Sequence, residues 1–449
     1  MQLSFIKKYS YHYQSLTYLG VPIIIGQLGT IILGFADTLM IGHHSTPELA
    51  AAAFVNNMFT LVLVFSMGFA YGLTPIVGSL YGQEKHAKIG EMLKNSLLAN
   101  TLLAVLLCGG MMLLYLNLHR LGQPEELLPL MRPYFIVNLI SVPFVIWFNT
   151  FKQISDGITD TKPAMWILLS GNLLNIIGNY ALIYGHWGSP ELGLLGAGLA
   201  TMASRIIMAV VFFAFFLMNK RYIPYLEGFK KGRMNKPDFM QLNRLGWPLG
   251  MQMGMETASF NLSTVMVGWI GTTALAAHQI MLSISQVFFM VYYGMAAAVA
   301  VRVSYYMGQR ELNKIETVSA AGFHLILFIA FVVSIPVFIL KGDIGLWFND
   351  NQEVCLLVAQ VIIPLIIYQF GDGMQCAYAN ALRGISEVKP LMYMAFIAYF
   401  LVSLPFGYLF GIVFNMGLLG IWYAFPLGLT TAGLLYYWSF KRRMRQING

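Results

Sequence analysis

Long apolar stretches separated by short polar connections run through this chain from end to end. About 20 apolar residues cross a bilayer as a helix. The pattern predicts twelve such spans, at about 15–42, 49–77, 92–117, 131–153, 164–185, 192–218, 245–270, 275–301, 316–340, 354–380, 391–413 and 417–440. The pattern also repeats once, at an offset of about 226 residues. YLGVP (18–22) returns as RLGWP (244–248), pairing Pro22 with Pro248, and Gly42 pairs with Gly268. Leu49-Ala50-Ala51 matches Leu275-Ala276-Ala277, and Gly82-Gln83 matches Gly308-Gln309. At offset 227 Gly157 matches Gly384 and Lys162-Pro163 matches Lys389-Pro390, and at offset 224 GLLGAG (193–198) echoes GLLGIW (417–422).

Six spans per repeat is an even number, so both copies enter the membrane from the same side. An axis along the membrane normal is expected to relate them, as in a parallel repeat. The expected fold is therefore an all-α integral membrane protein with twelve transmembrane helices in two six-helix bundles. The bundles are 1–218 and 245–449, and 219–244, charged and carrying two Pro and two Gly, links them. Pro22 and Pro248 each free a backbone carbonyl and permit a kink.

Composition agrees. The chain has 449 residues, 58% hydrophobic and 10% charged, where soluble proteins carry about 25% charged residues. The start, MQLSFIKKYSYHYQ, lacks the apolar core and small-residue site of a cleavable signal. The net charge of +8 is a matter of topology rather than of nucleic acid. Of 27 Lys and Arg, 23 lie at the termini or in every second connection, among them Lys7, Lys8, Lys85, Lys88, Lys94, Lys389 and the tail Lys441, Arg442, Arg443 and Arg445. The opposite connections hold Arg120, Arg132 and Lys341, and Arg205 falls inside a span. That asymmetry puts both termini and 219–244 in the cytoplasm, with some attraction to anionic lipid heads. Cys108, Cys355 and Cys376 show no metal or disulfide spacing and read as small hydrophobes.

Three acids lie deep in spans: Asp37 in IILGFADTLMIG, Glu256 in MQMGMETASF and Asp372 in IIYQFGDGMQCA. A carboxylate at membrane depth costs at least a few kcal/mol on insertion scales and usually marks an ion or proton path. In low dielectric such a group takes up a proton or holds a cation such as Na⁺, and competition between two such partners is enough to build an antiporter. The acids ignore the repeat: Asp37 matches Ser263, Glu256 matches Thr30, and Asp372 matches Val145. One half thus carries one acid and the other two. Polar company is near: Asn172, Asn175 and Asn179 in SGNLLNIIGNY, Thr201 in the next span, and Tyr368 one turn before Asp372. Hydroxyl and amide oxygens suit a hard cation, but Asn also joins helices. Gln286 and His278 lie in the eighth span, and a local structural role is expected for His278.

These residues resemble those of the multidrug and toxic compound extrusion (MATE) family, in its NorM-type branch. The resemblance covers nearly the whole chain and is carried by LGVPIIIGQLGTIILGFADTLMIG, GWPLGMQMGMETASF and the Asp372 helix ending ALRGISEVKP. It implies a secondary antiporter that alternates between outward- and inward-open states and exports cationic amphipathic compounds in exchange for Na⁺ or H⁺. It further implies that Glu256, Asp372 and Tyr368 form a cation site, with Na⁺ as a candidate at the two acids. Asp37, Asn175, Asn179 and Thr201 would form the polar site of the first half. Some relatives carry Asp at the position of Asn179, so with Asn the first half is not expected to hold a proton or Na⁺ tightly by itself.

The alternative within transport is a flippase of the same superfamily moving lipid-linked sugar precursors, whose cavities tend to be basic. Acids dominate inside these spans, which disfavours it. An enzyme is not expected: HExxH, GxSxG with a partnering His, and a paired GxGD motif do not occur, and FGDG (370–373) stands alone. No Walker motif marks an ATP-driven pump. The remaining expectations are no cofactor beyond the coupling ion, small organic cations and membrane lipid as partners, no nucleic acid, a monomer, and a multi-pass place in the cell inner membrane.

Overall fold

A computed structural model describes residues 2–122 and 124–448, with side chains from residue 9 to 447. Lys7 and Lys8 lie outside the described side chains. Among the described residues the secondary structure is helical throughout. Helices α1 (Gln2–His44), α2 (Thr46–Ala70), α3 (Leu73–Gly82), α4 (His86–Leu116), α5 (Leu128–Gly157), α6 (Thr161–Tyr184) and α7 (Gly193–Met218) form the first series. After a short α8 (Ile223–Lys231) come α9 (Lys236–Ile270), α10 (Thr272–Gln309), α11 (Leu312–Ile339) and α12 (Gln352–Gly384). The series ends with α13 (Lys389–Val413) and α14 (Gly417–Asn448).

Eleven helices among the described residues are long and apolar enough to cross a membrane. Helix α9, the seventh expected span, falls short because Gln252, Glu256, Thr257, Asn261, Ser263 and Thr264 dilute its apolar face. The outer surface is apolar: Val105, Leu113, Phe331 and Ile339 are all more than half exposed. Such a coat is stable against lipid and not against water. The chain is a multi-pass membrane protein.

The chain divides into two compact units, one of Ile25–Gly250 and the other of Met1–Ile24 with Met251–Gly449. Their borders, 25 and 251, are themselves 226 apart and fall inside α1 and α9, just after Pro22 and Pro248. The first part of α1 packs in the second unit, where a β-carbon on Gly294 would sit 3.0 Å from the Ile24 backbone nitrogen. The first part of α9 packs in the first unit, where a β-carbon on Gly68 would sit 2.7 Å from the Leu249 carbonyl. Gly68 and Gly294 are repeat mates at offset 226. The backbone repeats as well. Left-handed residues Glu84 and Arg310 end α3 and α10, and Thr159 and Ser386 follow α5 and α12. Gly157 meets Val77 where Gly384 meets Val303, again 226 or 227 residues on.

Each unit has its own apolar core. In the first, Phe59 stacks edge-on against Phe135 at 4.9 Å within a cluster that includes Val55, Met131 and Val142. In the second, Met281, Leu365, Tyr368, Trp422 and Phe425 pack together.

Residues 219–244 differ from a loose connection. Tyr222 is buried, and its hydroxyl meets Ser155 at 2.9 Å and donates to Asp160 at 3.2 Å, while Arg221 pairs with Asp160 at 3.0 Å. Burial pushes the Tyr225 phenol up to about 12. Lys88 pairs with Asp238 at 2.6 Å. Gly90 of α4 and Gly228 of α8 let the two backbones touch. The segment is therefore a fixed part of the first unit, tied down by buried aromatic rings and short ion pairs.

Candidate functional site

In the first unit, small residues draw α1, α6 and α7 together until their polar side chains meet. Gly26 lies against Leu168, and Gly178 lies so close to Ala200 that a β-carbon would fall 2.9 Å from it. This spacing suits membrane helices, which associate through close packing rather than the hydrophobic effect. Asn179, fully buried, donates to Asp37 Oδ1 at 2.5 Å. Asn179 Nδ2 also donates to Asn175 Oδ1 at 3.1 Å, and Asn175 Nδ2 donates to the Thr201 hydroxyl at 3.0 Å. All four residues expected in this half, Asp37, Asn175, Asn179 and Thr201, thus share one network. Ser204 joins them, its hydroxyl 3.5 Å from Asn175 Nδ2. Ser204 lies one residue before Arg205, whose Nη1 donates to Ser141 at 2.6 Å and whose charge interacts with Asp37. Beside it Tyr134 donates to Asn56 at 3.1 Å.

In the second unit Glu256 on α9 accepts from Gln375 Nε2 at 3.0 Å, and Tyr399 donates to Gln375 Oε1 at 2.6 Å. Asp372 is 1% exposed. Its Oδ1 has only the weak Cys376 thiol, 3.7 Å away, and its Oδ2 has no hydrogen-bond partner. Its charge interacts with that of Glu256. Tyr368, one turn earlier, is buried with its ring 6.3 Å from that of Trp422. A buried carboxylate with one weak donor is costly to keep charged, and Asp372 is in that position. A hard cation would find oxygen ligands in the two carboxylates.

Packing explains the FGDG string: Gly371 lies against Thr430 and Gly373 against Ile326. Glycines flank Asp372 because α14 and α11 leave no room for a β-carbon. Gln375 and Tyr399 escaped the sequence reading. Gln375 had a signal, an amide three residues after an intramembrane acid. Tyr399 had none, because its position depends on π-helical turns over Ile397–Ser403. These precede Pro405, which has no N–H for the Leu401 carbonyl. Gln369 was also missed; fully buried, it accepts from Tyr292 at 2.7 Å.

The remaining expected positions resolve simply. His278 is fully buried, accepting from Trp422 Nε1 at 3.1 Å and meeting Thr264 at 3.0 Å, so both ring nitrogens serve packing. Gln286 is exposed. Cys376 is more than a small hydrophobe, since it lies against Asp372.

Two helical units that repeat each other, each with a polar network sunk in an apolar membrane body, define a transporter. The MatE family model matches this chain twice, over residues 22–181 and 248–409, with starts 226 apart. The chain is 31% identical over 437 residues to the "Probable multidrug resistance protein NorM" of Photorhabdus laumondii, covering 96% of each. It is 30% identical over 460 residues to the "Multidrug resistance protein MdtK" of Proteus mirabilis, covering 98% of each. Its fold matches a solved structure described as the "Outward-facing conformation of a multidrug resistance MATE family transporter of the MOP superfamily", with a TM-score of 0.88 at 18% identity and 97% coverage of both chains. The chain belongs to the MatE family.

Proposed function

We propose that this transporter is a secondary antiporter that exports cationic amphipathic compounds in exchange for Na⁺ or H⁺ by alternating access. The observation that carries the reading is the buried Oδ2 of Asp372, which has no hydrogen-bond partner and has Glu256 as its charged neighbour. Two acids buried in one unit repel when both are ionised. A proton or a sodium ion relieves the repulsion, and so does an organic cation. Because the relief is shared, binding one cation weakens binding of the other, which couples the two fluxes. Glu256, Asp372 and Tyr368 form the coupling site in this reading, with Gln375 and Tyr399 orienting Glu256. Asp37, Asn175, Asn179 and Thr201 form the polar site of the other half. The two repeats, 1–218 and 245–449, supply the moving halves, which are divided as 25–250 and as 1–24 with 251–449, and 219–244 lies on the cytoplasmic side. Both termini are cytoplasmic, and the protein works as a monomer in the inner membrane.

Expression should raise resistance to ethidium, and Asp372→Asn should abolish the gain. Efflux from proteoliposomes under an imposed Na⁺ gradient, then under an imposed pH gradient, identifies the coupling ion. Full-rate efflux by the triple variant Asp37→Asn, Glu256→Gln, Asp372→Asn would sink the reading.

A further inference from the structure

The far end of α1 carries a titratable cluster that the polar networks do not use. His44, the last residue of α1, meets Glu48 Oε2 through Nδ1 at 2.7 Å and Glu191 Oε1 through Nε2 at 3.1 Å. Glu48 lies in the first turn of α2, and Glu191 lies in the connection 185–192 between α6 and α7. An ionised carboxylate only accepts hydrogen bonds, so both ring nitrogens donate and the imidazole is a cation. The helix ends agree, since a cation is favoured at the C-terminus of α1 and an anion at the N-terminus of α2. The backbone leaves room for the arrangement. Gly193, at φ +53, lies where a β-carbon would overlap the Glu48 carboxylate. The connection is folded back on α6, with the Leu192 N–H donating to the Leu182 carbonyl at 2.9 Å. Tyr184 stands edge-on to His44 at 6.0 Å and donates to the Met40 carbonyl at 2.7 Å, with His186 beyond it at 5.9 Å. His43 is turned to the Leu39 carbonyl at 2.7 Å. The repeat has no second copy: the mates are Ile270 and Ala274 at offset 226 and Asn415 at offset 224.

We propose that His44 is a proton-binding site that latches the α6–α7 connection to the corner between α1 and α2. Protonated, the ring ties both carboxylates. Neutral, it keeps a single N–H, so the other nitrogen turns a lone pair toward a carboxylate and that arm lets go. Glu191, with 65% of its side chain exposed, is the arm released. Helices α1, α6 and α7 also bear Asp37, Asn175, Asn179 and Thr201, and the latch fixes their spacing two turns beyond Asp37. Its bearing on transport rests on the polar-site reading, whereas the latch itself rests on the two hydrogen bonds. On the topology proposed above it titrates with the outer medium. Partial burial lowers the affinity of the ring for a proton, but the hydrogen bonds to Glu191 and Glu48 outweigh it and the pKa is raised. The latch is therefore fully present below the ordinary histidine value of ~6.5 and is lost as pH rises through the raised one.

The test follows amide hydrogen exchange at Leu192 in the purified full-length protein, from about pH 5.5 to about pH 8.5, a range that brackets histidine titration. The intrinsic pH dependence of exchange is divided out, so the readout is local opening. Protection should fall about threefold as pH rises, the scale of a partly exposed ion pair. His44→Gln is neutral at every pH and Glu191→Gln removes the outer arm, so each should show low protection with no pH dependence. Asp37→Asn should keep the fall. Constant protection in the unaltered protein, a fall that survives Glu191→Gln, or a fall that vanishes in Asp37→Asn overturns the proposal. Should His44→Gln fail to fold, Glu191→Gln decides, because it alters a mostly exposed carboxylate. Undiminished dye efflux in Asp37→Asn would overturn the polar-site reading and leave these exchange outcomes untouched.

Discussion

Single side chains in this protein separate into those that hold the fold and those that face a task, and whether a partner is a buried acid is what separates them. His278 has a partner at each ring nitrogen, Trp422 and Thr264. Its replacement by Ala should lower the thermal midpoint in detergent, consistent with leaving buried donors unsatisfied at about 1–3 kcal/mol. Ethidium efflux per folded molecule should stay near normal; a selective loss of efflux would assign it a transport role. Gln375 is the opposite case. It bridges Tyr399 to Glu256, so Gln375→Ala should cut efflux severalfold at least, with Tyr399→Phe milder. Equal efflux in all three proteins, measured in proteoliposomes, would remove Gln375 from the coupling site. The acids were legible in the sequence because a charge in an apolar span is conspicuous. Tyr399 was not, since one tyrosine among 24 carries no mark until a π-helical turn aims it.

Helices here are spaced by glycine and steered by proline. Gly90 and Gly228 bring α4 and α8 into backbone contact, and the surrounding ion pairs hold residues 219–244 in the first unit. Val at either glycine should undock α8, because a β-carbon there would collide with backbone that cannot move away cheaply. Faster proteolysis within 219–244 is the expected readout, and unchanged cleavage would argue against a docked segment. Its charge and its Pro and Gly content predicted a simple linker. Composition records what a segment is made of and says nothing of the surface waiting to receive it. Eleven spans are visible by hydropathy among the described residues, and α9 is not among them. Its polar face reads as weakness in a hydropathy window and as a site once Glu256 and Gln375 are seen together.

At the scale of the molecule, one unit is written twice and then loaded differently. Gly68 meets Leu249 and Gly294 meets Ile24 at equivalent places. Leu at either glycine should therefore destabilise to a similar degree, by roughly 1–3 kcal/mol or more from overpacking. Thermal midpoints that fall in only one of the two variants would show that the seams are not equivalent. The repeat, the membrane class and the three deep acids followed from the sequence alone, because each rests on pattern or on the cost of a charge in hydrocarbon. What only the tertiary structure decided is which side chains share a space. α1 and α9 leave one unit for the other at Ile24 and Gly250, although the chain gives no break there. Asp37 has Asn179 for company and Glu256 has Gln375. The physical reason is common to all these cases. Local sequence sets helix and polarity, whereas the partner of a buried charge comes from a distant helix whose approach is set by packing along its whole length.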